Sequence, residues 1–143
     1  MLFRKLPIIN HHYTIKYKEV KDFSFSSSVP IVNISTYKDK VIPKLDTIIQ
    51  HLKQNKNSRQ EVIIVNNEWV HNSCLISLQF QTVEDTLVLI ANYRSQDTRI
   101  GKTYDRNMLR YLCTLVLTQL PHTNCTIHIN VGNYHHNTHI QEF

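Results

Sequence analysis

Two apolar runs with alternating side chains, residues 74–82 and 86–93, stand almost next to each other near the middle of the chain. The connection between them, residues 83–85, is short and polar, which is typical of a β-hairpin. In an antiparallel hairpin the start of the first strand and the end of the second strand meet at one end of the sheet. The sequence therefore predicts that Cys74 and Arg94 lie close together.

A helix and a further strand are predicted before the hairpin. Apolar residues recur at helical spacing over residues 41–52, which predicts an amphipathic helix that ends near Asn55. Its apolar face consists of Val41, Ile42, Leu45, Ile48, Ile49 and Leu52. Residues 61–65 are almost continuously apolar, which predicts a strand buried on both faces of a sheet.

A second helix and a last strand are predicted after the hairpin. Asp105 is a suitable N-cap for this helix and Pro121 is a suitable stop. Between them an apolar stripe is formed by Met108, Leu109, Tyr111, Leu112, Leu115 and Val116. Residues 126–131 alternate and predict the last strand, and residues 132–139 form a polar tail.

The N-terminal part of the chain has weaker patterns. Residues 13–18 alternate like a strand, residues 23–28 resemble a loop, and residues 31–34 form a short apolar run typical of a strand. The complete pattern predicts one α/β domain over residues 1–143, with a mixed β-sheet and flanking helices.

The composition narrows the classes of function. The net charge of +5 favours an anionic partner, either nucleic acid or a phosphorylated small molecule. Basic residues are spread along the chain and are not interleaved with aromatic residues, so dedicated nucleic-acid binding is not expected. No apolar run reaches the roughly 18 residues of a membrane span, and the start of the chain lacks the apolar segment of a signal peptide. We therefore expect a cytoplasmic protein.

The chain has three cysteines, and an odd number without a secretory signal argues against a disulfide framework. Cys113 lies in the second helical pattern and is expected to pack as a small hydrophobic residue, whereas Cys125 is expected to be half-buried. Two His-x-x-Cys pairs, which end at Cys74 and Cys125, raise the alternative of a zinc site. Their separation fits no zinc-finger pattern, so no metal site is expected.

Cys74 has neighbours that suit nucleophilic chemistry. A cysteine attacks as the thiolate, which nearby positive charge or hydrogen bonds favour. The predicted hairpin places Cys74 beside the start of the sequence Arg94-Ser95-Gln96-Asp97, which supplies a guanidinium, a hydroxyl and a carboxylate. The alternative is a structural cysteine, which is common in apolar strands.

The order of these residues resembles the core of the thymidylate synthase and deoxycytidylate hydroxymethylase family. That core has a cysteine, a Gln-Phe pair, an Arg-Ser-x-Asp sequence, a glycine, and then asparagine or aspartate. The corresponding residues here are Cys74, Gln79-Phe80, Arg94-Ser95-x-Asp97, Gly101 and Asp105. The resemblance is strongest over residues 46–137. It implies a reduced version of the thymidylate synthase fold and a homodimer formed through the sheet.

The resemblance also implies how the chain binds a pyrimidine deoxynucleotide monophosphate. Cys74 matches the catalytic nucleophile that adds to C6 of the base, and Asp97 matches a catalytic aspartate that also positions the base. Substrate contacts are implied for Arg59, Gln79, Arg94, Ser95, Gly101, Asp105, His135 and Asn137.

Several of these contacts have a specific role in the family. Arg94 and Ser95 match ligands of the phosphate. Arg59 matches the first of two arginines that reach into the site of the partner subunit, and Gln60 replaces the second. His135 matches a contact to the sugar 3′-hydroxyl, while Asn137 replaces a tyrosine with the same role.

Asp105 is the position that indicates the base. Family members that act on deoxyuridylate have asparagine here, because an amide complements the N3–H donor and the O4 acceptor of uracil. A carboxylate instead accepts from the N4 amino group of cytosine, and the family members that use deoxycytidylate resemble this sequence in having aspartate. The alternative is that Asp105 only caps its helix.

The implied one-carbon donor is 5,10-methylenetetrahydrofolate, used in a C5 transfer of the deoxycytidylate hydroxymethylase or thymidylate synthase type. Residues 1–40 show no counterpart of the family's phosphate loop or of its helix with a catalytic glutamate. No segment after the histidine motif corresponds to the one that closes over the folate. These differences leave open an alternative, an inactive homologue that binds nucleotides or acts as a scaffold for a protein partner.

Overall fold

The computed structural model describes residues 2–4, 7–18, 37–65 and 74–139. The strands in these ranges are β1 (Leu2–Arg4), β2 (Ile8–Tyr17), β3 (Val62–Ile64), β4 (Leu75–Val83), β5 (Thr86–Asp97), β6 (Asn124–His135) and β7 (Asn137–His139). The helices are α1 (Ile42–Gln54), which follows a π-helical turn at Tyr37–Val41, and α2 (Ile100–Leu117).

Five strands form one sheet in the order β2-β6-β5-β4-β3, and β1 pairs with β7 separately. Strands β5 and β6 are parallel and α2 connects them, whereas every other neighbouring pair in this sheet is antiparallel. A parallel pair requires such a crossover, since no short turn can join two strands that run in the same direction. The predicted α/β class with a mixed sheet and flanking helices is confirmed.

The core lies between one face of the sheet and the two helices. Helix α1 contributes Leu45, Ile48, Ile49 and Leu52, which are four of the six residues on the predicted apolar face. Leu109 and Leu112 of α2 are fully buried, as are Leu89 and Ile127 of the central strands. The prediction that Cys113 packs as a small hydrophobic residue is also confirmed, but Cys125 is fully buried rather than half-buried.

The predicted hairpin is present as β4 and β5. Its register runs from Val83 opposite Thr86 at the turn to Leu75 opposite Tyr93 at the far end. Glu84 takes a positive φ of 57°, which suits a tight hairpin turn.

The prediction that Asp105 caps the second helix is wrong. Helix α2 begins at Ile100, so Asp105 lies in its second turn. Strand β5 continues to Asp97 instead of ending at residue 93, and the helix follows almost at once. In the turn between them, Oδ1 of Asp97 accepts a hydrogen bond of 2.8 Å from the backbone N–H of Arg99. Tyr104 and Asp105 are both buried, so packing of this first part of the helix also favours its extension.

Strand β3 is not buried on both faces as predicted. Ile63 is buried against the core, but Val62 and Ile64 are each 47% exposed. Within the described ranges β3 pairs only with β4 and therefore forms an edge of the sheet, where the helices cover one face.

Two further boundaries differ from the predictions. The last strand continues to His135 rather than ending at residue 131, because its polar part still pairs with β5, as Asp97 with His135. The strand predicted at residues 13–18 is β2, which begins at Ile8 and ends at Tyr17. The loop predicted at residues 23–28 and the strand predicted at residues 31–34 lie outside the described residues. In the part of the chain that is described, neither helix has the length and apolar character needed to cross a membrane.

The two glycines of the chain offer a test of how tightly β5 and β6 approach. A Cβ atom at Gly132 would lie 2.9 Å from the backbone oxygen of Arg94, whereas a Cβ at Gly101 would lie 3.6 Å from Cβ of Asp97. We predict that Gly132→Ala lowers the free energy of unfolding by about 1–3 kcal/mol, because a backbone atom must move. Gly101→Ala is the control and should cause no loss, since alanine is the better helix former. Urea denaturation measures both, and equal stabilities would contradict the close approach.

Candidate active site at the end of the central strands

The carboxyl ends of β5 and β6 and the start of β4 meet at one end of the sheet. There Ser95 is opposite Asn133 and Asp97 is opposite His135. Helix α2 begins immediately after β5 and brings Asp105 back to the same end. Most of the residues predicted to form the site are therefore close together because of the order in which the strands pair.

Cys74 and Arg94 are neighbours, as the hairpin predicted. The backbone N–H of Arg94 donates a hydrogen bond of 2.8 Å to the carbonyl oxygen of Cys74. The side chain of Cys74 is exposed overall, yet partial burial of its sulfur raises the pKa of the thiol above its ordinary value. The positive charge of Arg94 lowers that pKa and the carboxylate of Asp105 raises it further. The net effect favours the thiol, so the Arg94 charge alone does not produce a thiolate here.

The carboxyl of Asp105 is buried, with 8% of the residue exposed. Burial raises its pKa from 3.8 to about 7, and a hydrogen bond from Gln96 opposes that rise. Gln96 donates through Nε2 to Oδ2 of Asp105 at 2.9 Å. A carboxyl with a pKa near neutrality, close to the thiol of Cys74, is a group that can either accept or donate a hydrogen bond at physiological pH.

Gln96 is itself held by Tyr13, whose hydroxyl donates to Oε1 of Gln96 at 2.5 Å. Burial is the main cause that raises the pKa of Tyr13 above its ordinary value. Tyr13 lies beside Tyr134, and Nζ of Lys102 is 4.9 Å and 5.5 Å from the centres of these two rings. His11 stacks on Tyr134 with ring centres 4.3 Å apart.

Our sequence analysis did not identify Tyr13 or Gln96 as part of this site. Gln96 is the variable position of the Arg-Ser-x-Asp sequence, and the pattern carries no information about it. It is nevertheless a buried polar residue in a strand, and buried polar side chains require hydrogen-bonding partners. The pairing of β2 with β6, which no local pattern indicates, is what brings Tyr13 within reach.

Ser95 and His135 are also brought together. Nδ1 of His135 lies 3.4 Å from Oγ of Ser95, and 3.2 Å from both the carbonyl oxygen and Oδ1 of Asn133. Because a carbonyl oxygen only accepts, Nδ1 of His135 carries the hydrogen in the bond to Asn133. The ring is thereby fixed at the edge of the site next to the serine hydroxyl.

Three further predicted residues lie at the end of β5 or just beyond the ends of β5 and β6. Asp97 is at the end of β5, where its carboxylate holds the start of α2. Gly101 is in the first turn of that helix. Asn137 is in β7, and nothing is described of its side chain.

Arg59 and Gln79 do not join this cluster within one chain. Arg59 lines a shallow cleft with Thr82 and Val83, at the turn end of the hairpin. Strand β4 has nine residues, so its two ends are separated by roughly 25 Å. Gln79 lies between the buried Leu78 and Phe80 and therefore points to the other face of the sheet.

The described residues contain no group of three or more His, Cys, Asp or Glu side chains arranged to hold a metal ion. Of the two His-x-x-Cys pairs, His71 lies outside the residues that the structure describes. Cys125 is instead hydrogen-bonded to the thiol of Cys113 in the core.

The fold and the site define an α/β domain that gathers a thiol, a guanidinium and a buried carboxyl at one end of a mixed sheet. A model of the thymidylate synthase family matches residues 9–143. The chain therefore belongs to the thymidylate synthase family. No protein in the curated collection matches the sequence significantly.

The raised pKa of Asp105 leads to a prediction about stability. In the unfolded chain this group ionises near pH 3.8 and in the folded chain near pH 7, so the folded state binds more protons between these values and stability falls as pH rises. Asp105→Asn removes this cost and still accepts from Gln96. We predict a gain in the free energy of unfolding of up to about 4 kcal/mol above pH 7, from a shift of about three pH units.

The gain should shrink steadily as pH falls and should vanish only below pH 3.8, where the carboxyl is neutral in both states. Denaturant titrations of both proteins at pH 8 and pH 5 provide the measurement. A difference in stability that is the same at both pH values would show that the Asp105 carboxyl ionises normally in the folded protein.

Proposed function

We propose that this protein transfers a one-carbon unit to C5 of a pyrimidine deoxynucleotide monophosphate, and that the nucleotide is deoxycytidylate. The observation that carries the proposal is the meeting of Cys74, Arg94 and Asp105 at one end of the sheet in a chain of this family. Membership of the family supports a pyrimidine C5 transferase in general terms. The choice of deoxycytidylate rests on the carboxyl at position 105.

Each group in the cluster has a task in this proposal. Arg94 and the hydroxyl of Ser95 bind the phosphate, since a guanidinium matches phosphate oxygens with several N–H donors. His135, held next to Ser95, contacts the sugar. Asp105 contacts the base edge, and Asp97 positions the base from the adjacent strand end.

Cys74 supplies the nucleophile. Its thiolate adds to C6 of the base, and the electron pair of the C5–C6 double bond becomes available at C5. C5 then bonds to the one-carbon unit and loses its proton, and the bond between that carbon and the nitrogen of its donor breaks so that the donor leaves. Once the transferred carbon has taken up its final substituent, the thiolate leaves C6 and the double bond is restored. In a hydroxymethyl product the hydroxyl oxygen comes from water, and this product is favoured over methyl by the aspartate at position 105.

The one-carbon unit comes from 5,10-methylenetetrahydrofolate in this proposal, which supplies carbon at the oxidation level of formaldehyde.

A homodimer formed through the sheet completes the proposed phosphate site. Arg59 is roughly one strand length from Cys74 in its own chain, so it would act in the site of the partner subunit. The exposed side chains of Val62 and Ile64 on β3, at the edge of the sheet, leave apolar surface for a second chain to cover.

The test is incubation with deoxycytidylate and methylenetetrahydrofolate, followed by mass spectrometry of the nucleotide. We predict a product from the wild-type protein, and no product from Cys74→Ala, with deoxycytidylate still bound by the variant. Cys113→Ala is the control, because that thiol is buried in the core and away from the site. Absence of product and of any adduct at Cys74 would rule out the proposed activity.

The same assay tests the base. Deoxycytidylate should be favoured over deoxyuridylate by roughly 5- to 150-fold, because one mismatched buried polar contact costs about 1–3 kcal/mol. Asp105→Asn should reverse the preference, since an amide donates to O4 and accepts from N3–H of uracil. Equal use of both nucleotides by both proteins would remove Asp105 from base recognition.

The raised pKa of Cys74 favours a second candidate, an inactive homologue that binds the nucleotide and serves a protein partner. A thiol that stays protonated is a poor nucleophile. In that case deoxycytidylate binds to the wild-type protein, no product forms, and Cys74→Ala leaves the biological role unchanged.

A further inference from the structure

A chain of three side chains connects the edge strand of the sheet to the candidate base-binding carboxyl. Tyr13 on β2 donates to Gln96 on β5, and Gln96 donates to Asp105 on α2, over distances of 2.5 Å and 2.9 Å. Gln96 and Asp105 are buried and Tyr13 is partly buried. The three residues come from three different elements, so their alignment is a property of the folded domain and not of a local motif.

The two hydrogen bonds of Gln96 run in one direction. A glutamine amide has one end that accepts and one end that donates. Tyr13 donates to the accepting oxygen of Gln96, and the amino end of the amide faces Asp105, as an acceptor-only carboxylate requires. Burial raises the pKa of Tyr13, and the hydroxyl therefore keeps its proton and remains a donor throughout the physiological range.

We propose that Gln96, oriented by Tyr13, is a positioning residue that determines base selectivity by anchoring Oδ2 of Asp105. This inference rests on the proposed function, in which Asp105 contacts the base. With Oδ2 held by Gln96, the plane of the carboxyl is fixed and Oδ1 is presented in one orientation.

Anchoring matters because a carboxyl that rotates freely can satisfy either base. In one orientation it accepts from the N4 amino group of cytosine, and after rotation it accepts from N3–H of uracil. The bond from Gln96 also favours the ionised carboxylate, which only accepts. A protonated carboxyl donates a hydrogen bond to O4 of uracil and so loses the distinction between the bases.

The groups that titrate around the Asp105 carboxyl come from each element packed on it. They are Tyr13 on β2, Cys74 before β4 and Tyr104 on α2, whose pKa is raised to about 12 by burial and by the Asp105 charge. Both tyrosines stay neutral below pH 9, so neither of them accounts for a titration near pH 7 at this site.

Two variants test the proposal. Gln96→Met keeps the length of the side chain and removes both hydrogen bonds, and Tyr13→Phe removes only the hydroxyl that orients the amide. Tyr134→Phe is the matched control, because it removes a hydroxyl from the adjacent ring, 5.9 Å away between centres, outside the chain of bonds. For each protein, calorimetry measures the affinity ratio of deoxycytidylate to deoxyuridylate, and carbon NMR of labelled aspartate measures the Asp105 titration without nucleotide.

We expect the affinity ratio to fall by about tenfold in Gln96→Met, the size of one lost hydrogen bond to a charged group, and by less in Tyr13→Phe. The Asp105 pKa should rise in both, and Tyr134→Phe should match the wild type in both readouts. If the wild type discriminates between the bases and Gln96→Met discriminates equally well, the positioning role is wrong. If the wild type binds neither nucleotide, the proposed function is wrong and the selectivity role is wrong with it. The Asp105 titration still shows, in that case, whether Tyr13, Gln96 and Asp105 are coupled.

Discussion

Strand β5 is hydrogen-bonded along both edges, antiparallel to β4 and parallel to β6, and the candidate site depends on this double pairing. The antiparallel edge places Arg94 beside Cys74, and the parallel edge places Ser95 and Asp97 beside the end of β6. The crossover that a parallel pair requires is α2, and this helix returns Asp105 to the same end of the sheet. Residues that are distant in sequence therefore meet without any long loop.

Burial disfavours the charged forms of the ionisable groups in the site, and for Asp105 this lowers the stability of the folded protein as pH rises. A carboxyl that is buried with only a neutral amide as its described hydrogen-bond donor is difficult to ionise, which is why the pKa of Asp105 is raised to about 7. The same burial raises the pKa of Cys74. Proteins commonly accept such a cost at functional sites, because the perturbed groups are the ones that exchange protons or bind ligands near neutral pH.

The sequence was most informative where local pattern and tertiary position agree. The hairpin, the apolar face of α1 and the proximity of Cys74 to Arg94 follow from periodicity and one short turn. The start of α2 could not be predicted from the local sequence, because Gly101 and Thr103 are weak helix formers. The helix is extended by packing of Tyr104 and by the hydrogen bond between Asp97 and Arg99.

Long-range pairing explains the remaining differences. The apolar sequence of β3 does not reveal that only one of its faces is covered, since that depends on its place at the edge of the sheet. The polar end of β6 resembles a tail until its pairing with β5 is known. For the same reason Tyr13 and Gln96 could not be assigned to the site, because their contact depends on the position of β2 next to β6.

The central claim of this account is that Cys74, Arg94 and Asp105 act on one bound pyrimidine nucleotide. A crystal structure of the protein with deoxycytidylate tests it most directly. The account predicts the phosphate on Arg94 and Ser95, the base edge on Asp105, and Sγ of Cys74 in contact with C6 of the ring. A nucleotide bound elsewhere on the domain, or bound here with its phosphate at Asp105 and its base away from the thiol, would contradict the claim.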